Sequence, residues 1–508
     1  MPGTGLLRTK SVEQSIMDTD EPDTKLRKNL GTWDLIVFGV SVVIGAGIFT
    51  IAASTAGDVS GPSVSLAFVL AAITCALAAL CYAEFASTVP VAGSAYTYSY
   101  ATFGEFPAWI IGWDLILEFS IAAAAVAKGW STYLQEVLGI IGLQVPTALS
   151  LGALQFDWGA MLLVAVLTTL LVVGTKISAR VSLVITSIKV AVVLFIIIAG
   201  IGYIKPDNYT PFIPPAQSAA ENAPVLEQTL FSLMLGGESS VFGVFGLLAG
   251  ASLVFFSFIG FDIVATTAEE TRDPQRNAPR GILGSVAITT ALYVAVALVV
   301  TGMVNYTKLA TGPDDESATL ATAFAINNVD WAATLVSVGA LIGLVTVVMV
   351  LLLGQSRVLF AMSRDGLLPR GLAKTDPRRG TPVRITVLVG AVVMLAAGFF
   401  PFSRLAEMVN VGTLFAFALV SLGVIVLRRT RPDLPRGFRA PLVPLVPVLA
   451  IVACLWLMIN LTALTWVRFA IWMVVGVVIY FVYGRNHSVL GQRQASVSSG
   501  GAVRPQDR

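Results

Sequence analysis

The sequence predicts an all-α membrane protein with twelve transmembrane helices, and three observations predict it. Of its 508 residues, 56% are hydrophobic and 12% charged, with a mean hydropathy of +0.83; a soluble domain carries about 25% charged residues. Uncharged runs such as Gly281 to Thr307, Trp331 to Ser356 and Met408 to Leu427 reach the roughly 20 apolar residues that a span requires. The ten-residue alternation of a membrane barrel is missing. Backbone in lipid must satisfy its hydrogen bonds internally, so the runs are helices.

In chain order, residues 1–30 are polar and read as a flexible cytoplasmic tail, and the first apolar run begins too late for a cleavable signal peptide. Twelve runs follow, near 33–57, 63–88, 106–128, 158–175, 181–204, 241–268, 281–304, 331–357, 384–402, 406–427, 441–463 and 466–484. The connection 205–240 is rich in Pro, Ala, Ser and Gln with scattered acids, and reads as an outer loop with room for a short helix. "TGPDDES" (Thr311 to Ser317) is a second acidic outer loop. Residues 485–508 form a second polar tail. With the N-terminus inside, 26 of the 32 Lys and Arg fall on the inner side. Lys128, Lys205, Lys308, Arg404 and Arg468 lie outside, and Lys189 lies within a span. That asymmetry places both termini in the cytoplasm of a cell-membrane protein.

Several function classes drop out. Cys75, Cys81 and Cys454 all sit in spans, as small apolar fillers. The lone histidine, His487, lies in the C-terminal tail, which removes histidine catalysis and most metal chemistry from the membrane core. No phosphate-binding loop occurs, and no nucleophile–base constellation supports an enzyme. No metal or organic cofactor and no nucleic-acid partner is expected. The sequence leaves accessory subunits and oligomeric state open.

Two spans carry a peculiarity. "VVIGAGIFT" (Val42 to Thr50) puts two glycines in the first span, each costing about 1 kcal/mol relative to alanine in a helix interior. "FFSFIGFD" (Phe255 to Asp262) puts a glycine and a charge in the sixth. Interruptions at corresponding places in two five-helix halves point to an inverted-repeat architecture: a first repeat over 31–204, a second over 241–430, and two more helices over 431–484. Broken backbone at membrane depth is tolerated where it lines a cavity or is buried in protein. Freed amides at Gly45, Ala46 and Gly47, with a helix N-terminus beyond them, suit an anion; close helix packing is the other reading. Phe256, Ser257 and Ile259 form the opposite wall, with Gly260 giving room.

Ionisable groups within spans are functional candidates by default. Asp114 and Glu118 share one face of the third span, one turn apart. Lys189 lies at comparable depth in the fifth, so an ion pair with Glu118 is open. Desolvation disfavours an ammonium and a nearby carboxylate favours it, so such a pair either carries a proton or fixes helix register. Asp262 reads as a cap for freed amides near the sixth-span break.

"GTWDLIVFGVSVVIGAGIF", "PVAGSAYTYSYATFGEFPAWIIGWDLILE", "FFSFIGFD", "AEETRDPQRNAPRGI" and "RVLFAMSRDGLLP" together resemble the amino acid–polyamine–organocation superfamily. Within it, the chain is similar to the cationic amino acid transporter family, in its bacterial proton-coupled permease form. The resemblance implies a LeuT-type fold, ten core helices in a 5+5 inverted repeat plus two. It implies an α-amino acid, cationic or small neutral, whose carboxylate is held at Ile44, Gly45, Ala46 and Gly47 and whose amino group meets carbonyls near Phe256, Ser257 and Ile259. It gives proton coupling to Lys189, in place of sodium, and to Glu118. Met349 and Leu351 would line the side-chain pocket; both are bulky and apolar, which counts against a long cationic side chain. The expected activity is proton symport by alternating access. An exchanger or uniporter without proton coupling, and an amino acid sensor, are the alternatives.

Overall fold

The computed structural model describes residues 8–9, 30–89, 91, 94–143, 145–151, 154–174, 179–218, 224–235, 240–268, 271–311, 318–374, 376 and 382–498. Most of the tail 1–30, the acidic residues 312–317, and Glu221 and Glu238 of the outer loop lie outside these. The chain is a multi-pass, all-α membrane protein. Eight of its described helical segments are long and apolar enough to cross a bilayer, and four apolar helices are shorter.

The first span is interrupted. Helix α1 (Thr32–Val43) opens with the Asp34 carboxylate accepting from the Gly31 amide at 2.8 Å. It ends at Ile44, which is extended (ψ 90°), and helical backbone resumes at Gly47–Ile51 and runs on to Ser60. A Gly61–Pro62–Ser63 turn leads into α2 (Val64–Thr88). Helix α3 (Ser94–Thr102) is a short tyrosine-rich helix before the long α4 (Glu105–Ile140). A hairpin of β1 (Ala148–Leu151) and β2 (Leu154–Asp157) precedes α5 (Trp158–Val173), whose N-terminus is capped by Asp157 accepting from Ala160. Helix α6 (Ala179–Ile201) completes the first half.

The connection to the second half holds α7 (Leu230–Leu235), and β3 (Gln217–Ser218) pairs there with β4 (Ser240–Val241). The sixth span is again broken, into α8 (Gly243–Val254), a 3₁₀ turn (Phe255–Phe258) and α9 (Phe261–Thr266). Then come α10 (Pro274–Met303), the short α11 (Leu320–Ile326), α12 (Asp330–Arg364), α13 (Val383–Phe399) and α14 (Phe402–Thr430). Helices α15 (Leu445–Ile459), α16 (Ala463–Ile479) and α17 (Val489–Ser498) close the described chain.

Packing divides these helices into two groups. The halves of the first and sixth spans pack with α2 and α10, while α4, α5, α12 and α13 pack on one another. Helix α6 bridges the groups through α10 and α12, and α14 bridges them through α2 and α4. Burial follows: Ile44, Ala46, Ile48 and Phe49 are fully buried, whereas Leu194, Ile198 and Val392 remain exposed on faces suited to lipid.

Several helices outrun their apolar stretches. Helix α4 continues beyond residue 128 to Ile140 because its polar C-terminal end is partnered. Lys128 pairs with Asp157 at 3.4 Å, Ser131 donates to Asp157 at 2.5 Å, and Ser337 donates to Glu136 at 2.5 Å. The polar C-terminal segment from 485 contains two helices, Arg485–His487 and Val489–Ser498. It is held at Glu105, whose buried carboxylate accepts from Tyr100 (3.1 Å), Tyr480 (3.0 Å) and Ser488, and pairs with Arg8 at 3.5 Å. The Val489 amide also donates to the Asp365 carbonyl at 3.0 Å, at the end of α12.

Candidate functional site

The two breaks face each other. At the first, Ile44 leaves helical geometry and the chain re-enters it at Gly47. At the second, Ile259 is extended (ψ 136°) and Gly260 takes a left-handed conformation (φ 116°) that glycine alone adopts without strain. Gly47 lies so close to Ser257 that a Cβ there would overlap its backbone. Glycine at 47 is therefore a packing requirement between the two breaks.

Between them lies a narrow cavity with about 310 Å³ of empty space, including its mouth. Gly45, Ala46 and Gly47 of the first break, Phe256 and Ile259 of the sixth, and Leu351 of α12 are on its wall, together with Val42, Val43, Ala122, Val126 and Val347. Among the residues singled out from sequence, Ile44, Ser257 and Met349 are buried beside the cavity's elements and are not on its wall. The Ser257 hydroxyl is buried and finds no hydrogen-bond partner among the described residues. Beyond the backbone, the wall is wholly apolar.

Side chains from three other helices take the carbonyls around the first break. The Lys189 ammonium, on α6, donates to the Ser41 carbonyl and lies 3.4 Å from its hydroxyl. The Tyr293 hydroxyl, on α10, donates to the Val43 carbonyl at 2.6 Å, and Tyr133, on α4, to the Phe49 carbonyl at 2.6 Å. In an unbroken helix the carbonyls of residues 41 and 43 would accept from the amides of residues 45 and 47. Satisfied from elsewhere, they no longer require the Gly45 and Gly47 amides.

Sequence reasoning singled out Lys189 but neither tyrosine. The available signal was a polar tip inside an apolar run, as in "TTALYVAVALVV", which must find a partner when buried.

The ion pair left open between Lys189 and Glu118 is not formed. Lys189 is spent on Ser41, and Glu118 instead shares its surroundings with Asp114, Asp262 and the Thr413 hydroxyl. All three carboxylates are buried, and Asp114 finds no hydrogen-bond partner among the described residues. Asp262 lies against the amides of Gly260, Asp262 and Ile263, where a carboxylate complements the start of α9. This polar layer sits about one helical turn beyond the cavity: Glu118 lies one turn before Ala122 on the same face of α4, and Asp262 lies three residues after Ile259. No group of His, Cys, Asp and Glu suited to a metal occurs among the described residues.

A family model described as amino acid permease matches residues 30–488, nearly the whole chain and both breaks. The chain belongs to the amino acid permease family. This places it in the amino acid–polyamine–organocation superfamily, among transporters rather than enzymes. The permease is 42% identical to the methylthioribose transporter of Bacillus subtilis (strain 168), over 96% of this chain and 100% of that protein. It is also 42% identical to a branched-chain amino acid permease of the same organism, over 96% and 99%. Against the vacuolar cationic amino acid transporter 4 of Arabidopsis thaliana it is 36% identical, over 84% of this permease and 68% of the plant protein.

Proposed function

We propose that this permease carries neutral α-amino acids with apolar side chains across the cell membrane, by proton symport with alternating access. One observation carries the reading: the backbone break at Ile44–Gly47 lines a cavity whose remaining side chains are all hydrocarbon. The carboxylate of an amino acid fits the amides at Gly45, Ala46 and Gly47, beside Ile44. Its amino group fits carbonyls of the sixth break near Phe256, Ser257 and Ile259. The side chain is left to Ala122, Val126, Val347 and Leu351, with Met349 behind them. A wall without a carboxylate offers a cationic side chain no partner, and burying one unpaired is costly. The similarity to a branched-chain amino acid permease points the same way.

In this reading twelve helices span the bilayer as a LeuT-type 5+5 inverted repeat plus two, with both termini cytoplasmic. The two packing groups, each bridged by the fifth helix of a repeat, support it. Rocking one group against the other exposes the cavity to either face. Lys189 supplies the coupling charge where sodium would otherwise sit, and Glu118 lies in the acidic layer on the inner path. No other coupling ion or cofactor enters. The similarity to a methylthioribose transporter favours a second substrate class, a thioether sugar whose methylthio group would use the same apolar wall.

Uptake into sodium-free proteoliposomes, with leucine, alanine, arginine and methylthioribose as labelled substrates, tests the proposal. Leucine should accumulate above equilibrium when the exterior is acidic, and arginine should not. Uptake that ignores the gradient would leave an exchanger or uniporter. Tight binding without uptake would mark a sensor, and methylthioribose accumulation alone would replace the substrate class.

A further inference from the structure

The two halves share more than a break. Gly39–Val43 reads "GVSVV" and Gly250–Val254 reads "GASLV", each immediately before its interruption. In the first, the Ser41 carbonyl accepts from Lys189, on the fifth helix of its repeat. In the second, the matching Ser252 carbonyl accepts from the Asn410 amide nitrogen at 2.8 Å, and the Leu253 carbonyl lies 3.4 Å from the same nitrogen. Asn410 is fully buried on α14, the fifth helix of the second repeat. The same operation thus occurs twice: a polar side chain from the bridging helix takes a serine carbonyl that an unbroken helix would give to the break, residue 45 in one half and residue 256 in the other.

We infer that Asn410 is a positioning residue for the substrate site, the second repeat's counterpart of Lys189. It holds the sixth-span break open and so fixes the main chain around Phe256 and Ser257. The two residues differ in chemistry. Lysine gains and loses a proton, and an asparagine amide does not. One break is therefore held by a group that responds to protons and the other by a group that does not. The assignment rests on the two breaks forming the substrate site, as proposed above.

The variants Asn410→Leu, of similar volume without a donor, and Asn410→Gln, which keeps the amide, separate this role from packing. In proteoliposomes, Asn410→Leu should raise KM for the transported amino acid about tenfold or more, with a smaller change in maximal rate, and should keep the stimulation by external acid. Asn410→Gln should recover most of the affinity. Lys189→Gln, measured alongside, should lose the acid stimulation. The inference is overturned if Asn410→Leu leaves KM within twofold of the parent, or abolishes acid stimulation as Lys189→Gln does. Should Asn410→Leu not yield folded protein, Asn410→Ser carries the same comparison, with its shorter donor giving an intermediate KM. A Gly47→Ala control separates the two layers. If it too leaves KM unchanged, the substrate site lies elsewhere; if it alone raises KM, only the role of Asn410 fails.

Discussion

At the scale of single residues, the site is made by what the side chains leave undone. Lys189 and Tyr293 each give a polar tip to a main-chain carbonyl just before the first break, so the Ser41 and Val43 carbonyls do not need the amides of residues 45 and 47; Tyr133 braces the Phe49 carbonyl of the helix beyond it. Gly47 is the tightest point, because the two breaks meet there. Gly47→Ala should reduce the initial transport rate at least tenfold while leaving folded protein. Its methyl must push Ser257 away, and an overpacked contact of this kind costs about 1–3 kcal/mol. An unchanged rate in the purified variant would show that the breaks need not touch. Glycines, the fifth-span lysine and the sixth-span aromatics were legible in the sequence because each violates the composition of a span. Tyr293, Asn410 and Ala122 were not, since tyrosine and alanine are ordinary in membranes and a lone asparagine does not reveal which carbonyl it meets. Pairing Lys189 with Glu118 failed for a related reason: depth along a helix gives height, and which face meets which depends on rotation and crossing.

At the scale of elements, hydropathy located the helices better than it located their ends. It reports where the apolar run stops, whereas a helix continues as long as its polar end residues find partners, as Lys128, Ser131 and Glu136 do on α4. The C-terminal segment went unseen because its sequence is polar. Its order comes from distant groups, above all the buried Glu105, which gathers Tyr100, Tyr480, Ser488 and Arg8. Removing that carboxylate strands several donors at once. Glu105→Ala should destabilise the protein by about 2–3 kcal/mol, read as a lowered thermal midpoint in detergent. Glu105→Gln, which still accepts, should lose less. Equal midpoints for Glu105→Ala and the parent would mean that the C-terminal segment adds nothing to stability.

At the scale of the whole molecule, the sequence carried the class, the order of the helices and the two breaks. The division into two packing groups emerges only in three dimensions, because it depends on contacts between helices far apart in the chain. The cavity lies at the seam between these groups, with α6 and α14 bridging them, which is the arrangement that the proposed alternating access requires. In the proposed function an amino acid lies across the two breaks with its carboxylate on the amides of the first. The most direct measurement is an experimental map of the permease with its best transported amino acid bound. Carboxylate density is expected within hydrogen-bond distance of the Gly45–Gly47 amides, with the side chain against Ala122, Val126 and Leu351. Ligand density elsewhere, with the Gly45–Gly47 amides unoccupied, would contradict it.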